Sequence, residues 1–76
     1  MSSHTKGVPV PSLAPLRQQA GLSQRKLAER AGVGRNTISR LERGAHARYD
    51  TIDKLAGALG ISRTRLIKHP RQITRG

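Results

Sequence analysis

Q-R-K-L-A-E-R-A-G-V-G-R-N-T-I-S-R-L-E-R, Gln24 to Arg43, is the stretch that decides how this chain folds. Counted from Gln24 as position 1, its apolar residues fall at 4, 8, 10, 15 and 18: Leu27, Ala31, Val33, Ile38 and Leu41. Leu27 and Ala31 stand four apart, Ile38 and Leu41 three apart, which sets each pair on one helix face. Between the pairs, Gly32 offers a sharp turn at positive φ, a conformation that costs glycine nothing. Ala28 is small where a second helix crosses close to it, and Val33 plugs the turn. The spacing predicts two short helices joined at an angle.

Two helices so joined make a helix–turn–helix, the motif whose second helix lies in a DNA major groove. Outward from it, glycines at 21, 32, 34, 44 and 60 punctuate further helical segments. The first runs from Ser12, an N-cap, to about Ala20, with Pro15 in the first turn where its missing N–H loses no partner. The second is Gln24 to Ala31, capped by Ser23, and the third is Arg35 to about Arg43. The fourth starts after a cap at Asp50 and ends at Leu59. The fifth, about Arg63 to Lys68, is capped by Ser62 and ended by Pro70. The apolar face residues Leu13, Leu16, Leu22, Leu27, Ala28, Ala31, Val33, Ile38, Leu41, Ile52, Leu55, Ala56, Leu59, Ile61, Leu66 and Ile67 form the expected core. The expected fold is all-α, a compact bundle of about five short helices. Residues 1–10 read as a flexible lead-in, 11–69 as the folded domain, and 70–76 as a basic tail.

Composition narrows the function. Only 34% of the 76 residues are hydrophobic and Tyr49 is the sole aromatic. A β-sandwich or barrel lacks its supply of strand formers, and single-strand binders lack their stacking rings. Tyr49 reads as core or loop packing. With no cysteine, disulfides, thiol catalysis and cysteine-ligated zinc are excluded. His4, His46 and His69 are scattered without acidic neighbours at ligand spacing, so neither metal, cofactor nor catalytic residues are expected. Nothing resembles a signal peptide or a membrane span, which gives an intracellular, cytoplasmic expectation. The formal net charge is +11, which points to a polyanion. Eleven bases against four acids lie within residues 11–67, so most of that charge belongs to the body of the chain. A basic folded face can fix a register on a duplex, which a basic tail cannot.

Leu22 to Gly44, L-S-Q-R-K-L-A-E-R-A-G-V-G-R-N-T-I-S-R-L-E-R-G, resembles the Cro/C1-type helix–turn–helix family of phage repressors and bacterial regulators. Thr51 to Ser62, T-I-D-K-L-A-G-A-L-G-I-S, looks like that family's fourth helix and its exit. With Leu16-Arg17 upstream, the resemblance covers about residues 12–67. It implies the lambda repressor-like version of the bundle and a transcriptional regulator that binds double-stranded DNA. Carried over by position, Arg35, Asn36, Ser39 and Arg40 would reach base edges, with Thr37 near phosphate or a thymine methyl. Gln24 would contact a phosphate, as would the loop after the third helix, with Arg43, His46 and Arg48. Arg17 and Glu42 match a partly buried salt bridge that ties the first helix to the third.

Two departures from the family pattern stand out. Gly34 replaces the usual Ser or Thr cap, at a cost of a few tenths of a kcal/mol. Arg25 and Lys26 occupy the first turn of the second helix, where an acid is common and cations oppose the dipole by about 0.3–1 kcal/mol each. A nearby phosphate would explain them, and both join the expected backbone contacts. A homodimer, at least on DNA, is compatible with this reading and would use the fifth helix and tail, around Ile61, Leu66 and Ile67. Two other functions share the fold: an antitoxin-like protein-interaction module, and a less specific nucleic-acid binder.

Overall fold

The computed structural model describes residues 7–68. Within them the helical periodicity becomes five α-helices: α1 (Leu13–Gln19), α2 (Gln24–Ala31), α3 (Arg35–Glu42), α4 (Tyr49–Leu59) and α5 (Arg63–Ile67). Two short strands, β1 (Val8–Pro9) and β2 (His46–Ala47), pair antiparallel with Val8 opposite Ala47 and Pro9 opposite His46. Leu13, Leu27, Ile38, Ile52, Leu55 and Leu66 are wholly buried, so every helix contributes to one shared core. Each such side chain contributes about 1.5–3 kcal/mol of burial free energy. No helix among the described residues is long and apolar enough to cross a membrane.

The α2–α3 turn takes the conformation its glycine allows. Gly32 lies at φ 72° and ends α2, its N–H and that of Val33 both donating to the Ala28 carbonyl at 2.9 and 3.0 Å. That arrangement satisfies end-of-helix groups that would otherwise lack partners. Gly34 stands at the N-cap of α3 with extended backbone and no side-chain cap bond. Ser23, by contrast, accepts a bond from the Lys26 N–H at 3.0 Å and caps α2.

Several expectations need correction. The lead-in does not extend to residue 10: Val8 and Pro9 form a strand, and Val10 is 1% exposed in the core. Val8 and Val10 are apolar on alternate positions, so a segment this short still buries one face. Helix α4 begins at Tyr49, two residues earlier than a cap at Asp50 implies, with Arg48 at its N-cap. Asp50 instead sits in the first turn, where its charge complements the helix dipole. Ser12 and Ser62 occupy N-cap positions but make no cap bond. The Ser12 hydroxyl donates to the Lys68 carbonyl, and its N–H to that of Leu66 at 3.3 Å, which ties the start of α1 to the end of α5. Leu66 is therefore a core residue, closed to any partner, while Ile61 and Ile67 remain half-buried. Tyr49 is 52% exposed and lies outside the core. Val10 and Ala47 complete the core. The tail at 70–76, with His4 and His69, lies outside the described residues.

Candidate nucleic-acid interface

Ile38 and Leu41 pin α3 to the core, 0% and 4% exposed. With that face fixed, helical geometry determines what the other side presents. Arg35, Asn36 and Arg40 are exposed and Ser39 is half-buried. Their offsets of four place Arg35 with Ser39 and Asn36 with Arg40 along the outward side of the helix. Thr37, half-buried, lies at the edge of this face.

The far end of α3 is locked by a polar cluster. Arg17 of α1 donates from Nε to Glu42 Oε2 at 2.6 Å and from Nη2 to Oε1 at 3.1 Å. Its Nη1 donates to the Leu22 carbonyl at 2.8 Å. Gln24, the first residue of α2, donates from Nε2 to the same Glu42 Oε1 at 3.0 Å. The Arg17 and Glu42 side chains are 13% and 10% exposed. Burial pushes the Glu42 carboxyl up, but the bonds from Arg17 and Gln24 and the Arg17 charge outweigh it, and the group titrates below the ordinary carboxylate value. The same hydrogen bond to Glu42, against a smaller effect of burial, raises the Arg17 guanidinium above its ordinary value. One carboxylate thus joins three segments, α1, the start of α2 and the end of α3. Gln24 has a second Nε2 hydrogen beyond the one Glu42 takes.

Exposed cations also stand on α2 and on the loop after α3. Arg25 and Lys26 are exposed on the first turn of α2, where Lys26 meets Glu29 only at 4.0 Å between two solvated groups. Such an exposed pair holds a lysine weakly. Arg43 follows α3, exposed. Beyond it, His46 and Arg48 are exposed on either side of Ala47, which is 3% exposed. An open groove runs between α3 and this loop, lined by Thr37, Arg40, His46, Arg48 and Thr51 among others. The structure therefore brings Thr37 and Arg40 of α3 together with His46 and Arg48 across one depression. It places Gln24 against Glu42, with Arg25 and Lys26 beside it in sequence, at the C-terminal end of α3.

Thr51 was not singled out in the sequence, and neither were the β1 residues that pair with the loop. The alternation of Val8, Pro9 and Val10 was the available signal, three residues long. Among the described residues, no three His, Asp or Glu side chains gather as a metal site would need.

The family model described as Helix-turn-helix matches residues 14–66. No curated protein sequence matches the chain. Among solved structures, a hypothetical transcription factor from Neisseria is 31% identical at a TM-score of 0.74, over 80% of this chain and 70% of that one. The restriction-modification controller protein C.AhdI from Aeromonas hydrophila is 40% identical at 0.69, over 71% of this chain and 83% of its own. SinR, described as the master regulator for biofilm formation and solved in complex with DNA, is 26% identical at 0.72, over 78% and 98%. The matched span runs from α1 into α5 and takes in the turn, the outward face of α3 and the Glu42 cluster. The chain belongs to the Cro/C1-type helix–turn–helix family of DNA-binding transcription regulators.

Proposed function

We propose that the chain regulates transcription by binding duplex DNA at specific sequences, with α3 in the major groove. The observation that carries this reading is the outward face of α3. Arginine, asparagine, serine and arginine stand there together, on a helix whose opposite face is anchored in the core. Arg suits the paired acceptors of guanine and Asn the donor and acceptor of adenine, each worth about 1–3 kcal/mol of discrimination. Arg35, Asn36, Ser39 and Arg40 read bases in this scheme. Gln24, Arg25, Lys26, Thr37, Arg43, His46 and Arg48 hold the phosphates on either side, where contacts set register without reading sequence. The flanking phosphates also account for two cations at the start of α2, where they oppose the helix dipole. The likeness to SinR, solved in complex with DNA, supports DNA as the partner.

Two chains on a pseudo-palindromic site, with half-site centres about one helical turn or 34 Å apart, fit this docking. The exposed cations of α2, α3 and the following loop favour nucleic acid over a protein partner. A lone exposed tyrosine gives no stacking platform for single strands.

Selection of bound sites from random duplexes tests the reading. Asn36→Ala and Arg40→Ala are expected to broaden base preference at particular positions, by about 1–3 kcal/mol each. Arg25→Ala and Arg43→Ala are expected to weaken selected and scrambled duplexes alike. Equal affinity of the unmutated chain for both duplexes at near-physiological salt would overturn sequence-specific binding.

A further inference from the structure

We infer that the β1–β2 ribbon is a positioning device, in which Gly7 to Pro9 hold the α3–α4 loop so that His46 and Arg48 face the DNA backbone. This rests on the reading above that these two residues contact phosphate. The loop between α3 and α4 is not helical, and its side chains would have no fixed direction on their own. Strand pairing gives them one. In an extended segment successive side chains point to opposite sides. Ala47 is turned inward, 3% exposed, and both neighbours, His46 and Arg48, are exposed. Val8 packs against the core from the partner strand, with Pro9 exposed beside it. Pro9 fits because an edge strand tolerates a residue that donates no bond.

The strap itself is tied down at its other end. Val10 is 1% exposed, its carbonyl accepts the Leu13 N–H at 3.0 Å, and Ser12 bonds to the Leu66 and Lys68 carbonyls. Its approach to the loop is tight enough that a side chain at Gly7 would force its neighbours to give by a few tenths of an ångström. A Cβ at Gly7 would come within 3.0 Å of His46 Cβ and 3.1 Å of the Ala47 carbonyl oxygen. Arg48 is also the N-cap of α4, so its backbone is fixed by the ribbon on one side and a helix on the other. A loop ordered beforehand loses less conformational freedom when it meets a ligand.

The test compares Arg48→Ala in two full-length backgrounds. In the unmodified chain it is expected to reduce the slope of log affinity against log salt by about one unit, the signature of one lost phosphate contact. In a Gly7→Val/Val8→Gly chain, which crowds the strands apart and removes the anchor without changing charge, the slope is expected to be reduced already. Adding Arg48→Ala there should change it little, and base preference should remain that of the unmodified chain. A full one-unit loss in both backgrounds overturns the inference while leaving the phosphate contact standing. No loss in the unmodified chain overturns the contact and the inference together.

A second measurement does not depend on how the loosened chain folds. The sequence contains no cysteine, so Val8→Cys/Ala47→Cys gives one cross-link between directly opposed residues, whose spacing suits a disulfide. The oxidised chain is expected to bind as tightly as the unmodified one. Loss of binding on oxidation, restored on reduction, would show that the loop leaves β1 to meet DNA and would overturn the inference.

Discussion

Glu42 shows how much one side chain can hold. It accepts from Nε and Nη2 of Arg17 and from Gln24, at 10% exposure, and is the one carboxylate that fixes the end of α3. Its pairing with Arg17, 25 residues away, has no trace in periodicity and enters the sequence reading only through family resemblance. The Gln24 bond was not legible at all, because nothing local distinguishes an amide aimed inward from one aimed at solvent. A consequence for stability follows from the lowered titration of the carboxyl. The folded chain holds Glu42 ionised to lower pH than the unfolded chain, whose value is about 4.3. Its contribution is therefore complete above that value and is lost as pH falls through the lower folded one. Glu42→Ala leaves a poorly exposed guanidinium without its partner and is expected to cost about 2 kcal/mol at pH 7. Urea melts of both chains at pH 7 and pH 3 check this, since the gap between them should narrow at the lower pH.

At the scale of elements, the helices were legible wherever a breaker and an apolar stripe agreed. Ser23, Leu27, Ala31 and Gly32 mark the two ends and the inner face of α2, and the structure uses each in that role. The start of α4 was harder, because aspartate is favoured both as a cap and in the first turn. What decides it is β2: pairing through Ala47 carries extended backbone up to Arg48, so the helix starts at Tyr49. The ribbon itself escaped a reading by period, since two residues per strand do not establish an alternation. The outward face of α3 was legible because Ile38 and Leu41 define its opposite. That helix also carries the element-scale prediction. Gly34 has ordinary negative φ, −76°, and extended ψ, 148°, the geometry of a side-chain cap. A Cβ there meets only Thr37 Oγ1, at 3.8 Å. Gly34→Ser is therefore expected to add a few tenths of a kcal/mol, about 2 °C in a domain of this size. A thermal melt measures it, and an unchanged or lower midpoint would mean that the serine does not cap.

For the whole molecule, the charge of +11 takes on a structure. Arg17 is spent on Glu42, and Arg63 lies 3.3 Å from Asp53. Arg25, Lys26, Arg43 and Arg48 are the full-time cations assigned to phosphate, with Arg35 and Arg40 turned to bases. Four phosphate contacts by one chain give a slope of log affinity against log salt of about −3.6. A pair of chains bound together on two half-sites would double it to about −7. Because base contacts release no condensed counterions, the proposed division of labour makes a sharper demand. Asn36→Ala should leave the slope of the unmodified chain unchanged while lowering affinity for the selected site, whereas Arg25→Ala should lower both. Titrations of a single half-site and of the paired site, each across a range of potassium chloride, separate these outcomes. A slope shallower than about −2 on a half-site would mean that the surrounding cations are solvated surface. Equal slopes on the half-site and the paired site would mean that one chain binds alone. Composition points to a polyanion through the sum of the charges, and the fold makes a measurable claim about how many of them release a counterion.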